Sequence, residues 1–287
     1  MINYLIIIII FFSSISLYQS YNSKSYFKRV NNSNKFNRII HKLNMYCHNK
    51  IQQNKHLINT DKLNKIDLVI TGGGFKNSYA MGIFLFLNKL KKYNDKINFD
   101  RISGTSAGAC TGFFIINDKI NDYIHLSYSL VDTLSKYPYA RPKYLWNELF
   151  KEYVNKYGIP KKDKLHISFS VLDYKYPFLN NEIVSSYDNE EDLIDAFKST
   201  SSIPYLMVNF FGKYKNKYTL DGYFTNNTPI FKDNKNKQLI INFTDLKDEY
   251  DKVFLFTKDE ITEIIIKGIN DIIDFLNGKE ISNIKIM

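Results

Sequence analysis

Apolar positions along the chain alternate between short continuous runs and helically spaced series. Ile66 to Thr71 reads as a buried strand that runs straight into Gly72-Gly73-Gly74-Phe75-Lys76. Beyond it Ala80, Ile83, Phe84, Leu87 and Leu90 recur at the spacing of one helix face, so the unit is strand, glycine loop, helix. Phe99 to Ile102 predicts a second strand, followed by a helix over Ala107 to Asn117, and Leu165 to Leu172 a third strand. Asp188 with Glu191 predicts a capping box opening a helix that carries Leu193, Ile194 and Phe197. Leu239 to Phe243 and Lys252 to Thr257 read as two further strands. In the tail, Asp259 to Leu276 puts seven Ile and Leu residues on one helical face, closed by Gly278. Its polar side mixes Glu260, Glu263, Asp271 and Asp274 with Lys267. A membrane-surface helix favours a lysine-rich polar side, so this one is expected to dock on the domain.

The N-terminal region breaks this rhythm. Met1 to Ser23 carries no charged side chain, and its wholly apolar centre, Leu5 to Phe12, is shorter than the roughly 20 residues of a membrane span. Such a centre suits the apolar core of a signal peptide. Lys24, Lys28, Arg29, Lys35 and Arg38, however, all follow the run and none precedes it, which favours an uncleaved anchor with a cytosolic domain. Both readings stand, and both make the protein membrane-associated or secretory. Residues 24–64 form an Asn/Lys-rich linker or accessory helix, with a weak helical pattern through Phe36, Ile39, Ile40 and Leu43. Residues 65–287 form one domain that includes the C-terminal helix. Within it, Asp122 to Tyr157 is rich in aromatic residues.

Composition changes this picture little. The 287 residues are 44% hydrophobic, enough for one substantial core. The formal charge of +10 could draw the protein to anionic lipid, whereas no dense basic block with interleaved aromatics points to nucleic acid. Two cysteines make no disulfide framework. Cys110 falls one turn into a helix where a small apolar residue is wanted, and is expected to be buried and inert. Histidines and cysteines show no metal-ligand spacing, and no cofactor motif is present.

Chemistry enters at Gly104-Thr105-Ser106-Ala107-Gly108. A serine with glycine two residues to either side is the nucleophile-elbow pattern, in which a tight strand-to-helix turn projects the hydroxyl away from the backbone. The glycine loop upstream is an anion-cradling arrangement. Downstream, Ser201-Ser202-Ile203-Pro204 precedes Tyr218-Thr219-Leu220-Asp221-Gly222, with Asn227 and Pro229 beyond. A Ser-Asp-His order would need a late histidine, but the last of five is His166. His125 and His166 read as structural.

In their order and spacing, the triple-glycine loop with its basic residue, the G-x-S-x-G elbow and the Asp-Gly pair resemble those of the patatin-like lipid acyl hydrolases, from about Ile66 to Phe231. The resemblance implies a three-layer α/β/α sandwich with a mainly parallel sheet and a Ser-Asp dyad, here Ser106 as nucleophile and Asp221 as base. The missing late histidine agrees with a dyad. Backbone N–H groups of Gly73 and Gly74, with Ala107, would hold the oxyanion, and Lys76 could contact a phosphate headgroup. Ser202 and Pro204 would wall the acid, and Asn227 would orient its loop. The implied reaction is hydrolysis of phospholipid or neutral glycerolipid esters, with membrane lipids or lipid droplets as partners and no cofactor. Two positions depart from the family pattern. Asn77 stands where glycine usually follows the basic residue, a change softened by asparagine's tolerance of positive φ, and Tyr223 follows Asp-Gly where a small residue is usual. They motivate an alternative, a catalytically impaired lipid-binding or membrane-remodelling protein on the same fold.

Overall fold

The computed structural model describes residues 33–54, 58–94, 96–136, 142–204, 206–208, 210–243, 246 and 256–287. The apolar segment Leu5 to Phe12 and most of the strand expected over Lys252 to Thr257 lie outside them. Among the described residues no helix is long and apolar enough to cross a membrane.

The glycine-loop unit forms as the hydrophobic pattern predicts: β1 (Ile66–Ile70), a 3-10 turn at Gly74–Asn77 and α2 (Ser78–Lys91), preceded by α1 (Ser33–Asn54). The elbow unit is β2 (Phe99–Thr105) and α3 (Ala107–Ile116), followed by α4 (Ile120–Lys136) and α5 (Pro142–Tyr157). Then come the hairpin of β3 (Leu165–Leu172) and β4 (Leu179–Val184), α6 (Glu190–Thr200), the short hairpin of β5 (Gly212–Tyr214) and β6 (Lys217–Asp221), β7 (Gln238–Ile241), α7 (Lys258–Leu276) and β8 (Ile284–Ile286). The eight strands form one sheet in the order β5-β6-β3-β2-β1-β7-β8, with β4 also on β3. Its centre, β3-β2-β1-β7, is parallel, and its edges are antiparallel. Flanked by helices, it makes the three-layer α/β sandwich expected from the resemblance.

β1 is buried at every position, as a parallel strand at the centre of such a sheet must be. Ile66, Leu68 and Ile70 face the main core, and Val69 on the other face joins Ile240 and Phe231 in a smaller cluster. α2 is buried from Ser78 to Leu87. It is apolar all round because other helices enclose it. α7 lies against it backbone to backbone: a methyl on Gly82 would overlap the Ile265 carbonyl, and one on Gly268 the Tyr79 carbonyl. Tyr79 Oη donates to Asp271 Oδ2 at 2.8 Å. The C-terminal helix thus docks on the domain, capped by the Thr257/Glu260 capping box and closed by Gly278 at φ +91°. Thr257, placed in a strand by the hydrophobic pattern, is that cap.

One other expectation shifts. The cap of α6 is Asn189 rather than Asp188: Asn189 Oδ1 accepts the Asp192 N–H at 2.9 Å, and Asp192 reaches back to the Asp188 N–H at 3.0 Å. The box therefore starts one residue later than Asp188 with Glu191 implied. The Asn/Lys-rich stretch carries a 22-residue helix, α1, that buries Phe36, Leu43, Cys47 and Ile51. Of the aromatic segment, Tyr123, Phe150, Tyr153 and Tyr157 gather around Phe113 and Phe114 of α3, so they pack the back of the elbow helix.

The close approach of α2 and α7 yields a test. In an exposed helix, Gly→Ala stabilises by about 1 kcal/mol. Gly82→Ala should do the reverse and cost about 1–3 kcal/mol through overpacking, measured as a lower urea-unfolding midpoint.

Candidate active site

β2 and β6 both pair with β3, and the register fixes what meets between them. Thr105, the last residue of β2, is opposite Ser168, and Asp221, the last residue of β6, is opposite Phe169. The two strands run in opposite directions and end at adjacent positions of β3, which brings Ser106 and Asp221 together from positions far apart in sequence.

Ser106 sits at φ 53°, ψ −127°, a left-handed conformation costly for a residue with a side chain. Close packing of glycines holds the turn. A Cβ on Gly104 would come within 2.5 Å of the Ala109 nitrogen. One on Gly108 would strike the Ile70 and Thr71 carbonyls, and one on Gly72 would lie 3.0 Å from Ser106 Cβ. The Ser106 N–H donates to Thr200 Oγ1 at 2.8 Å, and Thr200 in turn donates to the Ser168 carbonyl. The last residue of α6 therefore braces the elbow, a role that carried no sequence signal, since Thr200 belongs to no motif.

Asp221 is 2% exposed. Its N–H donates to the Ser202 carbonyl at 3.0 Å, and its Oδ1 accepts the Tyr223 N–H at 2.9 Å. Among the described residues Oδ2 is buried with no partner at full hydrogen-bonding geometry. Burial pushes the carboxyl up to about 7, against smaller lowering effects of the Tyr223 N–H and the Ser106 hydroxyl. Tyr223 thus acts on the acid through its backbone, and its phenol points to solvent, 59% exposed.

The glycine loop lies over the serine. Asn227 Oδ1 accepts the Gly72 N–H at 2.8 Å, which ties the loop to the chain beyond Asp221 and removes that donor. Among the described residues, the N–H groups of Gly73, Gly74 and Ala107 have no acceptor. Gly73, Gly74 and Ala107 are half-buried, and the N–H of Ala107 opens α3. A side chain at Gly73 would strike the Phe243 ring at 2.6 Å. Lys76 Nζ reaches the Leu246 carbonyl at 3.4 Å.

Asn77 needs no positive φ: it is helical at φ −61°. Its buried amide donates to the Ala107 carbonyl at 2.6 Å, to Thr111 Oγ1 and to Tyr123 Oη at 3.2 Å. The residue that departs from the family pattern therefore clamps the glycine loop to the first turn of α3. Farther out, Arg101 of β2 bonds the buried carboxylate of Asp67 and that of Asp233, and its guanidinium lies 4.2 Å from the Phe231 ring centre. This pins the connection that leaves Asp221.

His125 and His166 bond elsewhere. His125 is near Ser129 Oγ at 3.4 Å, and His166 packs on Phe231 and bonds the Asp163 carbonyl; burial lowers both pKa values. Cys110 is fully buried, and burial, then the nearby Asp221 charge, holds its thiol protonated. A cavity of about 660 Å³ opens between the start of α6 and β5, lined by Asp192, Met207 and Lys213 among others. It touches Ser201 but neither Ser106 nor Asp221, so it is separate from this chemistry. Among the described residues no cluster of His, Cys, Asp or Glu could hold a metal ion.

A serine on a strained strand-to-helix turn, a buried carboxyl at the end of the neighbouring strand and a glycine loop across both define an α/β serine hydrolase layout. The family model for patatin-like phospholipase matches residues 68–232, and the chain belongs to that family. Its class is that of the lipid acyl hydrolases. No curated protein matches the chain.

The Asn77 clamp is testable. Asn77→Gly, which restores the usual family residue, should lower stability by about 1–3 kcal/mol, because the amide bonds to Ala107 and Thr111 are lost in a buried setting. Calorimetry of the two proteins reads the difference.

Proposed function

We propose that the protein hydrolyses carboxylic esters of phospholipids, in the manner of a phospholipase A, or of neutral glycerolipids, through a Ser106–Asp221 dyad and an acyl-enzyme. The observation that carries this reading is the burial of Asp221. An ordinary aspartate, near 3.9, is a weak base at neutral pH, whereas one raised to about 7 is half-charged there and can accept a proton. In this mechanism Ser106 Oγ attacks the ester carbonyl as Asp221 takes its proton, and the proton passes to the departing alcohol. Water then repeats the cycle on the acyl-enzyme. The N–H groups of Gly73, Gly74 and Ala107, which have no acceptor among the described residues, are the donors available to a tetrahedral oxyanion, each worth on the order of 3 kcal/mol in such a site. Lys76, at the rim of the loop, could meet a phosphate.

The impaired lipid-binding alternative rested on Asn77 and Tyr223. Asn77 is accommodated as a clamp and Tyr223 as an exposed side chain, so neither blocks the serine, and hydrolysis is the better reading. Membrane association, by an anchor or a secretory route, remains part of this proposal through the segment Met1 to Ser23.

Release of fatty acid from mixed phospholipid and triacylglycerol vesicles tests it. Ser106→Ala and Asp221→Asn should each lower turnover by at least about a thousandfold. Full turnover in Ser106→Ala would refute the dyad. Turnover by the wild type should fall about tenfold per pH unit below about 7 as the base is protonated.

The same burial couples pH to stability. A folded-state pKa raised from 3.8 to about 7 gives stability that is fully present below the unfolded value and lost as pH rises through the folded one. Wild-type protein should lose about 4 kcal/mol from this group between about pH 4 and about pH 8. Asp221→Asn should lack that component in urea titrations.

A further inference from the structure

From the aromatic side chains at one end of the sheet, we infer that the β3–β4 hairpin and its neighbours form a surface that docks on a phospholipid bilayer and presents Ser106 to it. The inference deepens the proposed hydrolysis and rests on it for the choice of partner.

The hairpin tip carries Tyr174, Tyr176 and Phe178, which are 94%, 87% and 65% exposed. Water-facing aromatics at this density mark an interaction site rather than ordinary surface. The tip is braced from within. The Asp173 N–H donates to the Phe178 carbonyl at 3.0 Å and the Lys175 N–H to Asp173 Oδ1 at 3.1 Å, while Asn180 bonds the Pro177 carbonyl at 3.2 Å. The rings are held outward instead of collapsing on the domain. Beside them Phe211 and Tyr218 pack ring to ring at 6.0 Å and remain half-exposed. Tyr223 and Phe224, directly after Asp221-Gly222, extend the exposed aromatics to the site, and Asn226 bonds Asn181 of β4 at 3.3 Å to join the two.

The charges select a lipid surface. Segments 173–182 and 210–218 hold Lys175, Lys213, Lys215 and Lys217 against Asp173 and Glu182. Lys217 pairs with Glu182, and Lys215 with Asp188 and Asp192. Lys175 and Lys213 form no ion pair among the described residues, which leaves them for anionic headgroups. Tyrosine suits the headgroup boundary because its ring is apolar and its hydroxyl wet. Geometry places the tip correctly: β3 runs parallel to β2 and continues four residues past Ser168, the partner of Thr105. The tip therefore projects about 13 Å beyond the elbow.

The test uses the full chain with Ser106→Ala, to prevent hydrolysis, and Trp146→Phe, which removes the sole tryptophan. Tyr176→Trp then places one indole at the tip, and Tyr93→Trp, in a separate protein, places one at the opposite end of the sheet. With phosphatidylcholine–phosphatidylserine vesicles brominated in their acyl chains, the tip indole should be quenched and the opposite-end indole should not. Site-resolved quenching separates tip docking from any binding by the apolar N-terminal segment. Equal quenching of the two proteins, or none at the tip, overturns the inference, as does a tip that stays dry while a second copy of the chain protects it. In the Ser106-intact chain, Tyr174→Ser/Tyr176→Ser/Phe178→Ser should lower turnover on vesicles at least about tenfold, equivalent to about 1.4 kcal/mol. Turnover of a soluble short-chain ester should be unchanged; an equal loss on both substrates overturns docking. Quenching at the tip in a chain whose Ser106-intact form hydrolyses no ester would uphold docking and refute the hydrolase reading, so the two fail separately.

Discussion

One edge of β3 is shared between two strands, and the candidate site depends on that division. β2 occupies its first half and β6 its second, so the end of a parallel strand and the end of an antiparallel one meet at Ser168 and Phe169. A slip of one residue in either pairing would turn the terminal side chain to the opposite face. The register therefore specifies both that Ser106 and Asp221 are neighbours and that they face each other. Much of the surrounding structure guards it. Thr200 ties the elbow to Ser168, Ser202 holds the Asp221 N–H, and Arg101 anchors the connection that follows.

Burial sets the second condition. A carboxyl removed from water resists ionisation, and this is the property the proposed dyad asks of Asp221. Only weak compensation is supplied: one backbone N–H and the hydroxyl of the serine itself. A lysine or arginine in contact would hold the group permanently charged and spoil it as a base. The contrast lies within the same protein, where Arg101 keeps Asp233 far below the ordinary carboxylate range. One carboxyl is held as a fixed charge and the other is raised towards neutrality, as the proposed base requires.

The frame of the fold was legible because parallel strands and enclosed helices leave strong hydrophobic patterns; β1, α2, α3, β3 and α7 lie where those patterns put them. The elbow and glycine loop were legible because close backbone approach admits only glycine. Less legible were features set by tertiary partners. The α6 cap moved from Asp188 to Asn189 because both residue types can cap and only the backbone path decides between them. Thr200 was invisible, since a threonine ending a helix resembles any other. In the sequence Asn77 shows only as a departure from the family glycine, softened by asparagine's tolerance of positive φ, whereas its backbone is helical and its side-chain amide bonds Ala107 and Thr111. β5 and β8, three residues each, are too brief to read, and β4 is a polar, partly exposed edge strand with no apolar run to mark it.

The backbone contact between α2 and α7 also bears on the order in which the protein becomes functional. α2 leads directly out of the glycine loop, and its outer side is closed by a helix made long after the elbow, with Gly82 and Gly268 shaped for that meeting alone. Until α7 emerges from the ribosome, the helix behind the loop has an open apolar flank and β7 has no β8 beside it. A nascent chain can hold its serine, its acid and its glycines and still lack the scaffold that fixes them. The synthesis of a lipid acyl hydrolase is thereby separated in time from the completion of its scaffold.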